Sequence, residues 1–579
     1  MNPKSLIFSC ILALGCLCNT QGFAQISAKP VLEPTVRERI TPVRILWKSG
    51  DGKLVRNAES LLKKGNGQAD LNSGNLCIIK SGASDTTGIL LDFGKEIHGA
   101  IQVVTGQWPG GKPLKVRIRL GESASEAMSS VGEKGATNDH AIRDFITTVP
   151  WLGKLEFGNS GFRFARIDLV EQNSTLVLKE VNAIAVYRDI PYLGSFKSSD
   201  TLLNKIWATG AYTVHLNMQD YLWDGIKRDR LVWVGDMHPE VSTINAVFGN
   251  NEVVAKSLDL SRDITPLPQW MNGISTYSMW WLIIQRDLYK NSGNRAYLQQ
   301  QKEYMTKLLD LLVTKINDKN SESLDGRFLD WPSSENKPAI HAGMQALMVI
   351  SLGAGSEMCT ILGDKVSAAK YDAAVARLKK YVPDANGSKQ AAALMSLAGL
   401  MSNQDASKIL LDGGSKNFST FYGYYMLQAM AKSGNHKEAM DVIRTYWGAM
   451  LKLGATTFWE DFNMEWLPNA AGIDELVPAG KKDIHGDFGA YCYVGLRHSL
   501  AHGWASGPTP WLTEHVLGIS VAEPGCKVIK IKPNLGDLTF AEGTFPTPYG
   551  VVKVKHTKLA NGKIQSDVSG PKEVKIIKL

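Results

Sequence analysis

The sequence predicts a chain of several domains: a strand-rich N-terminal region, a long helical centre built as a toroid of hairpins, and a small β-domain at the C-terminus. Three changes of apolar period predict it. Up to about residue 190, apolar residues alternate or come in short β-branched runs. From about 200 to 518 they recur every three or four residues, and after 518 the alternation returns. With 579 residues the chain is too long for one core, and 44% hydrophobic with 21% charged residues describes a globular protein.

The first region carries Ile89-Leu-Leu-Asp-Phe, Ala100-Ile-Gln-Val-Val, Leu114-Lys-Val-Arg-Ile-Arg-Leu and Phe162-Arg-Phe-Ala-Arg-Ile-Asp-Leu, separated by turn clusters such as Pro109-Gly-Gly-Lys-Pro. Such spacing suggests an antiparallel sandwich. The helical region opens at Phe196-Lys-Ser-Ser-Asp200, where Ser and Asp can cap a helix whose face carries Leu202, Leu203, Ile206 and Trp207. Tyr304, Leu308, Leu309, Leu311 and Leu312 repeat the pattern, and helices stop at Gly293, Gly363, Gly434 and Asn435. About a dozen helical segments without a fixed sequence repeat suggest a closed toroid rather than a superhelical solenoid. Cys526-Lys-Val-Ile-Lys-Ile-Lys-Pro, Gly550-Val-Val-Lys-Val-Lys-His and Val574-Lys-Ile-Ile-Lys-Leu supply the closing strands. The expected boundaries are 1–24 for a signal peptide, 25–192 for the N-terminal β-sandwich, 193–518 for the helical domain and 519–579 for a C-terminal β-sandwich.

The net charge of +8 comes from scattered lysines with acidic neighbours, so no basic stripe points to nucleic acid as a partner. Lys4, an apolar run from Leu6 to Leu17 and Gly22-Phe23-Ala24 read as an export signal cleaved near Gln25. A lipid anchor at Leu14-Gly15-Cys16 fits less well. The expected location is the periplasm or the extracellular space. No later stretch reaches about 18 uninterrupted apolar residues, so no membrane span is expected. Cys10, Cys16 and Cys18 leave with the signal, while Cys77, Cys359, Cys492 and Cys526 lie far apart with no zinc spacing and are expected as free buried thiols. Neither a metal nor another cofactor is indicated, and the oligomeric state is left open.

Two segments carry the chemistry. Asp224-Gly-Ile-Lys-Arg-Asp-Arg-Leu-Val-Trp-Val-Gly-Asp236 holds three carboxylates, two arginines and a tryptophan, and Gly454-Ala-Thr-Thr-Phe-Trp-Glu-Asp-Phe-Asn-Met-Glu-Trp466 is a second acidic and aromatic cluster. Carboxylates among aromatic rings suit cleavage of a sugar: one acid protonates the leaving oxygen, one base activates water, and flat apolar faces hold the ring.

These segments resemble bacterial α-L-rhamnosidases, glycoside hydrolase family 78. Asp224, Arg228, Asp229, Arg230, Trp233, Gly235 and Asp236 meet one family pattern, and Gly454 through Glu460 another. Asp330-Trp331, His502-Gly-Trp-Ala-Ser-Gly-Pro, Leu535-Gly-Asp-Leu, Glu542-Gly and Pro546-Thr-Pro resemble further family segments in the same order. The resemblance implies a six-hairpin (α/α)6 catalytic barrel and an inverting hydrolase that removes terminal α-L-rhamnose from plant-type glycans or glycosides. It puts the general acid at Asp229 and the general base at Glu460. It further implies that Asp224 and Asp236 hold sugar hydroxyls, with Arg228, Trp233, Asp330, Trp331, Trp459 and His502 as further substrate contacts. The family usually has Glu where this chain has Asp229, and the shorter side chain loses ~1.5 Å of reach. That departure keeps two alternatives in view: a related enzyme acting on another sugar, such as an uronic acid, or a carbohydrate-binding homologue with a weakened site.

Each residue also has a bland reading. The 224–236 segment can be a solvated charged turn, in which Asp224 favours a proton on Asp229 while Arg228 and Arg230 oppose it. Asp236 can cap the helix expected near Pro239, and Glu460 can be a helix-start carboxylate, with Glu465 in reserve as base. Trp270, Trp280 and Trp281 read as core, whereas a loop tryptophan such as Trp331 is better placed at a pocket mouth. Among His341, His485 and His502, only His502 sits in a motif.

Overall fold

The computed structural model describes residues 34–50, 53–72, 74–83 and 86–579; the segment expected to be a signal peptide lies outside the described residues. The N-terminal region is one nine-stranded antiparallel sheet. Its centre is the 19-residue strand Thr87–Thr105, which pairs along its length with Lys154–Leu169. The first half of Thr87–Thr105 also pairs with Arg44–Lys48 and the second half with Thr175–Tyr187. The exchange of partners falls around an irregularity between Asp92 and Ile97, so the hydrogen bonding is unbroken where two separate sheets were expected. Ile89, Leu91, Ile101, Val116, Phe162 and Ile167 fill its core. A short helix α1 (Ala124–Met128), capped by Ser123, lies on this sheet.

Twelve helices follow: α2 (Thr201–Asn217), α3 (Met237–Val247), α4 (Glu252–Asp263), α5 (Ser275–Ser292), α6 (Arg295–Thr314), α7 (Lys337–Leu362), α8 (Lys365–Leu378), α9 (Lys389–Ala398), α10 (Asn403–Leu411), α11 (Gly423–Lys432), α12 (His436–Lys452) and α13 (Pro508–Trp511). The Asp200 side chain accepts from the Leu202 and Leu203 N–H groups and starts α2, and left-handed glycines at 293 and 363 end α5 and α7. The odd-numbered helices from α3 to α13 pack each on the next, and α13 packs back on α3, so six helices close a ring. α7 is long and apolar enough to cross a membrane, but 67% of its apolar window is buried in the protein, as befits a central ring helix. Trp280, Trp281 and Trp447 are buried in this core, as the helical placement of the first two implied.

The C-terminal strands form two small sheets. Ser195–Ser198, which precedes the first ring helices, pairs with Phe540–Thr547, so the C-terminal sheet takes one strand from before the helical region. Cys77, Cys359, Cys492 and Cys526 are free thiols.

Candidate active site

A cavity of about 370 Å³ is lined by Asp224, Arg228, Asp229, Trp233, Asp236, Trp331, Glu460 and His502, eight of the ten residues singled out by sequence. The two distant acidic segments therefore meet in one place.

The 224–236 segment is a loop closed on itself. Asp224 N–H donates to the Leu231 carbonyl at 3.1 Å, and Leu231 N–H returns to Asp224 Oδ1 at 3.0 Å. Between them Asp229 and Arg230 both take left-handed backbone, with φ of +57° and +55°. Two consecutive non-glycine residues in that region are costly and persist where surrounding contacts over-determine them. The turn sends its arginines in opposite directions. Arg228 points into the cavity and donates to Glu460 Oε1, whereas Arg230 points out, donating to the Asn159 carbonyl at 3.0 Å and the His140 carbonyl at 2.8 Å on the N-terminal region. Burial opposes the charge of Arg228, but Glu460 and Asp229 hold its pKa above the usual guanidinium value.

Asp229 is 17% exposed by side chain, the most open carboxylate of the set. Its Oδ2 accepts from Trp233 Nε1 at 3.1 Å; its Oδ1 lies 3.3 Å from His140 Nε2 and 3.6 Å from Arg228 Nη1. Trp233 thus meets Asp229 with its polar edge and not with an apolar face. Asp224 and Asp236 lie deeper. Burial, then the negative charges of Asp236 and Asp229, push the Asp224 pKa well above the usual carboxylate range. Burial also raises the pKa of Asp236, partly offset by His502 and Tyr277. Asp236 stands at the start of α3 but makes no capping hydrogen bond. Its carboxylate instead accepts from Tyr277 Oη at 2.9 Å and pairs with His502 Nε2 at 3.0 Å. Gly235 permits this: a Cβ there would lie 2.2 Å from the Tyr277 ring.

Glu460, 2% exposed, is fixed by its backbone as well as its side chain. Its N–H donates to the Ser499 carbonyl, its carbonyl accepts from Thr420 Oγ1 and Trp504 Nε1, and Ser499 N–H reaches Oε2 at 3.2 Å. His502 Nδ1 lies 3.8 Å from Glu460 Oε1 and has no hydrogen-bond partner among the described residues.

Around these groups runs a belt of rings, each edge-on or tilted to the next: Trp233, Tyr277, Phe328, Trp331, Tyr493, Trp504 and His502, with successive centroids 4.4–6.4 Å apart. Sequence reasoning missed Tyr277, Phe328 and Tyr493. Tyr277 sits in an apolar helix that reads as core, and the other two stand in loops outside the quoted motifs. Trp504 was quoted within its motif but not singled out, although His502-Gly-Trp was the signal that could have found it.

Two expected contacts lie outside the cavity. Asp330 is spent on its own turn: its carboxylate accepts from Ser333 N–H and Oγ, Gln390 Nε2 and Ser419 Oγ, which anchors the neighbouring Trp331. Trp459 is 1% exposed and packs edge-on against Phe462, because the residue beside an inward-facing Glu460 turns the other way. Glu465 is exposed, His341 pairs with Glu322, and buried His485 bridges Ser123 and the His498 carbonyl.

Residues 191–410 match the bacterial alpha-L-rhamnosidase 6 hairpin glycosidase domain, and residues 518–577 match the bacterial alpha-L-rhamnosidase C-terminal domain. An alpha-L-rhamnosidase of Alteromonas sp. (strain LOR) is 25% identical over 524 residues, covering 82% of this chain and 54% of that protein. One of Formosa agariphila is 24% identical, covering 76% and 50%. The chain thus spans about half the length of these relatives. The GH78 rhamnosidase of Bacillus sp. GL1 shares the fold with a TM-score of 0.73 at 21% identity, covering 90% of this chain and 55% of that one. A rhamnosidase from Klebsiella oxytoca with rhamnose bound gives 0.66 at 17%, covering 83% and 95%. Two stretches of the chain, 191–410 and 518–577, are thus similar to the six-hairpin and C-terminal domains of bacterial α-L-rhamnosidases.

Proposed function

We propose that this protein is an exported α-L-rhamnosidase that releases terminal rhamnose from plant-type glycans or glycosides with inversion. One observation carries the reading: Asp229 and Glu460, far apart in sequence, line one aromatic-walled cavity and both approach the same Arg228 guanidinium. The closed ring of six helices supports a six-hairpin (α/α)6 barrel with this cavity at its mouth.

In this reading Glu460 takes a proton from water on one face of the sugar while Asp229 protonates the leaving oxygen on the other, with ~6.5–9.5 Å between the carboxyls to admit the water. Asp224, Asp236, Tyr277 and His502 hold ring hydroxyls, and the aromatic belt with Ile274 accepts the methyl at C5. Arg327 also lines the cavity, but both its terminal nitrogens face Glu322, at 2.6 and 3.0 Å, which favours a neutral sugar over an uronic acid.

A second assignment of the acid has its own support. Burial raises the pKa of Asp224 well above the usual carboxylate range, which favours its protonated form and supports it as the proton donor in place of Asp229. Hydrolysis of aryl α-L-rhamnosides with good and poor leaving groups separates the two. The true acid, changed to Asn, loses poor leaving groups by about a hundredfold or more and spares good ones. Inactivity of the wild type across a panel of aryl glycosides overturns the enzymatic reading. Export is tested by the N-terminal residue of the secreted protein, expected near Gln25.

A further inference from the structure

A second cavity, of about 360 Å³, lies against the first. Three stretches of chain divide their residues between the two: Trp331 faces the first and Pro332 the second, Glu460 the first and Asp461 the second, Cys492 the first and Tyr491 the second. The partition is thus one residue thick. Part of it is a stacked pair, Trp331 on Tyr491, with centroids 5.9 Å apart and planes 28° from parallel. Tyr491 is 44% exposed and holds a left-handed backbone, φ +60°, at the rim.

The second cavity is built from amides and rings. Asn336, Asn386, Asn417 and Asn463 line it, together with Trp466 and Tyr491. Its most unusual member is Asp461, nine-tenths buried yet, among the described residues, paired with no cation: its Oδ1 accepts the Phe462 N–H at 2.9 Å, and Oδ2 accepts nothing there. Burial, partly relieved by that N–H, pushes its pKa up to about 7. A largely buried carboxylate with one oxygen left without a donor is costly unless something brings one. The hydroxyl groups of a pyranose do so: they donate to a carboxylate and exchange hydrogen bonds with amides, while the C–H groups on one face of the chair lie against an aromatic side chain.

We infer that this second cavity binds a neutral pyranose residue of the same glycan whose rhamnose occupies the first, the chain crossing the rim at Tyr491. The inference rests on the α-L-rhamnosidase reading and gives that site a second subsite with a preference for oligosaccharides over simple glycosides.

Calorimetry on the Glu460→Gln protein, which holds ligands uncleaved, tests it with methyl α-L-rhamnopyranoside and an α-L-rhamnopyranose trisaccharide. The trisaccharide should bind at least tenfold more tightly than the methyl glycoside. Tyr491→Ala and Asn463→Ala, both at exposed positions, should each reduce that ratio at least threefold, and the double variant should bring it near one. Equal affinities for the two ligands, or a trisaccharide advantage that survives both substitutions, overturns the subsite and leaves the functional reading intact. A protein that binds neither ligand, and whose wild type hydrolyses no aryl rhamnoside, overturns both.

Discussion

The two acidic segments that meet in the cavity present their carboxylates on different supports. Glu460 takes its direct hydrogen bonds from the helical region, through Thr420, Ser499, Trp504 and Arg228, and nearby Phe458 donates its N–H to Thr213 of α2. The N-terminal sheet touches its segment further off, where Arg163 reaches the Gly454 carbonyl and Glu96 N–H reaches Thr456. The 224–236 loop leans on the N-terminal sheet instead. Ile226 and Lys227 pack so closely on Gly161 that a Cβ there would lie 2.7 Å from Ile226. Buried Lys227 lies 3.0 Å from Glu122 and 3.2 Å from Glu126, and Arg230 reaches Asn159 and His140. The base therefore belongs to the ring, whereas the acid is placed by a contact between two regions. This gives the N-terminal region a role in the chemistry beyond a platform: His140, in the loop before the strand Asp144–Val149, is within 3.3 Å of Asp229.

Removing the ring-held base should have the largest effect. Glu460→Gln should lower kcat by about a thousandfold with the fold intact, read by initial rates and circular dichroism; a rate within tenfold of wild type would remove Glu460 from the mechanism. Next comes the anchor under the acid loop. Lys227→Met takes the cation from buried Glu122 and leaves buried Glu126 only Arg143, at 3.7 Å, and should cost about 3 kcal/mol of stability, measured by denaturant unfolding. Arg230→Ala is gentler: it frees one end of the strained turn and should lower kcat about tenfold while changing the melting temperature little. An Arg230→Ala protein with unchanged kcat would show that the sheet does not position Asp229.

The smallest effect is a slope. His498 accepts the Asp461 N–H at Nε2, and burial, then neighbouring His485, Lys227 and Arg228, keep its pKa well below 6.5. Folded His498 stays neutral while the unfolded residue protonates below 6.5, so its contribution is constant above that pH and stability is lost as pH falls beneath it. The loss is at most about 1.4 kcal/mol per pH unit for one proton. His498→Gln, which keeps an acceptor, should therefore lose less stability between pH 6.5 and 5 than wild type; parallel curves would contradict the assignment.

Much of this site was legible because its chemistry is concentrated. Asp224, Arg228, Asp229, Trp233 and Asp236 fall within thirteen residues, and Glu460 sits in a short aromatic run, so motif and residue type alone pointed to them. Asp330 and Trp459 misled for a physical reason: both are neighbours of cavity residues, and in extended backbone consecutive side chains face opposite ways. Asp330 turns beneath Trp331 to cap its turn, and Trp459 turns into the core. Asp236 could not be resolved from sequence between cap and cavity, since a carboxylate at a helix start suits both; Tyr277 and His502 decide it. The belt formed by Tyr277, Phe328 and Tyr493 depends on loops converging from distant parts of the ring, which no local pattern encodes. The single N-terminal sheet was hidden similarly, because alternation reports strands but not the exchange of partners along Thr87–Thr105.

The stereochemistry of the first product tests the opposed-carboxylate account most directly. Proton NMR during hydrolysis of an aryl α-L-rhamnoside by the wild-type protein should show β-L-rhamnose appearing first and the α-anomer only later by mutarotation. Initial release of α-L-rhamnose would contradict it, since water delivered by Glu460 from the face opposite the leaving group cannot retain the configuration.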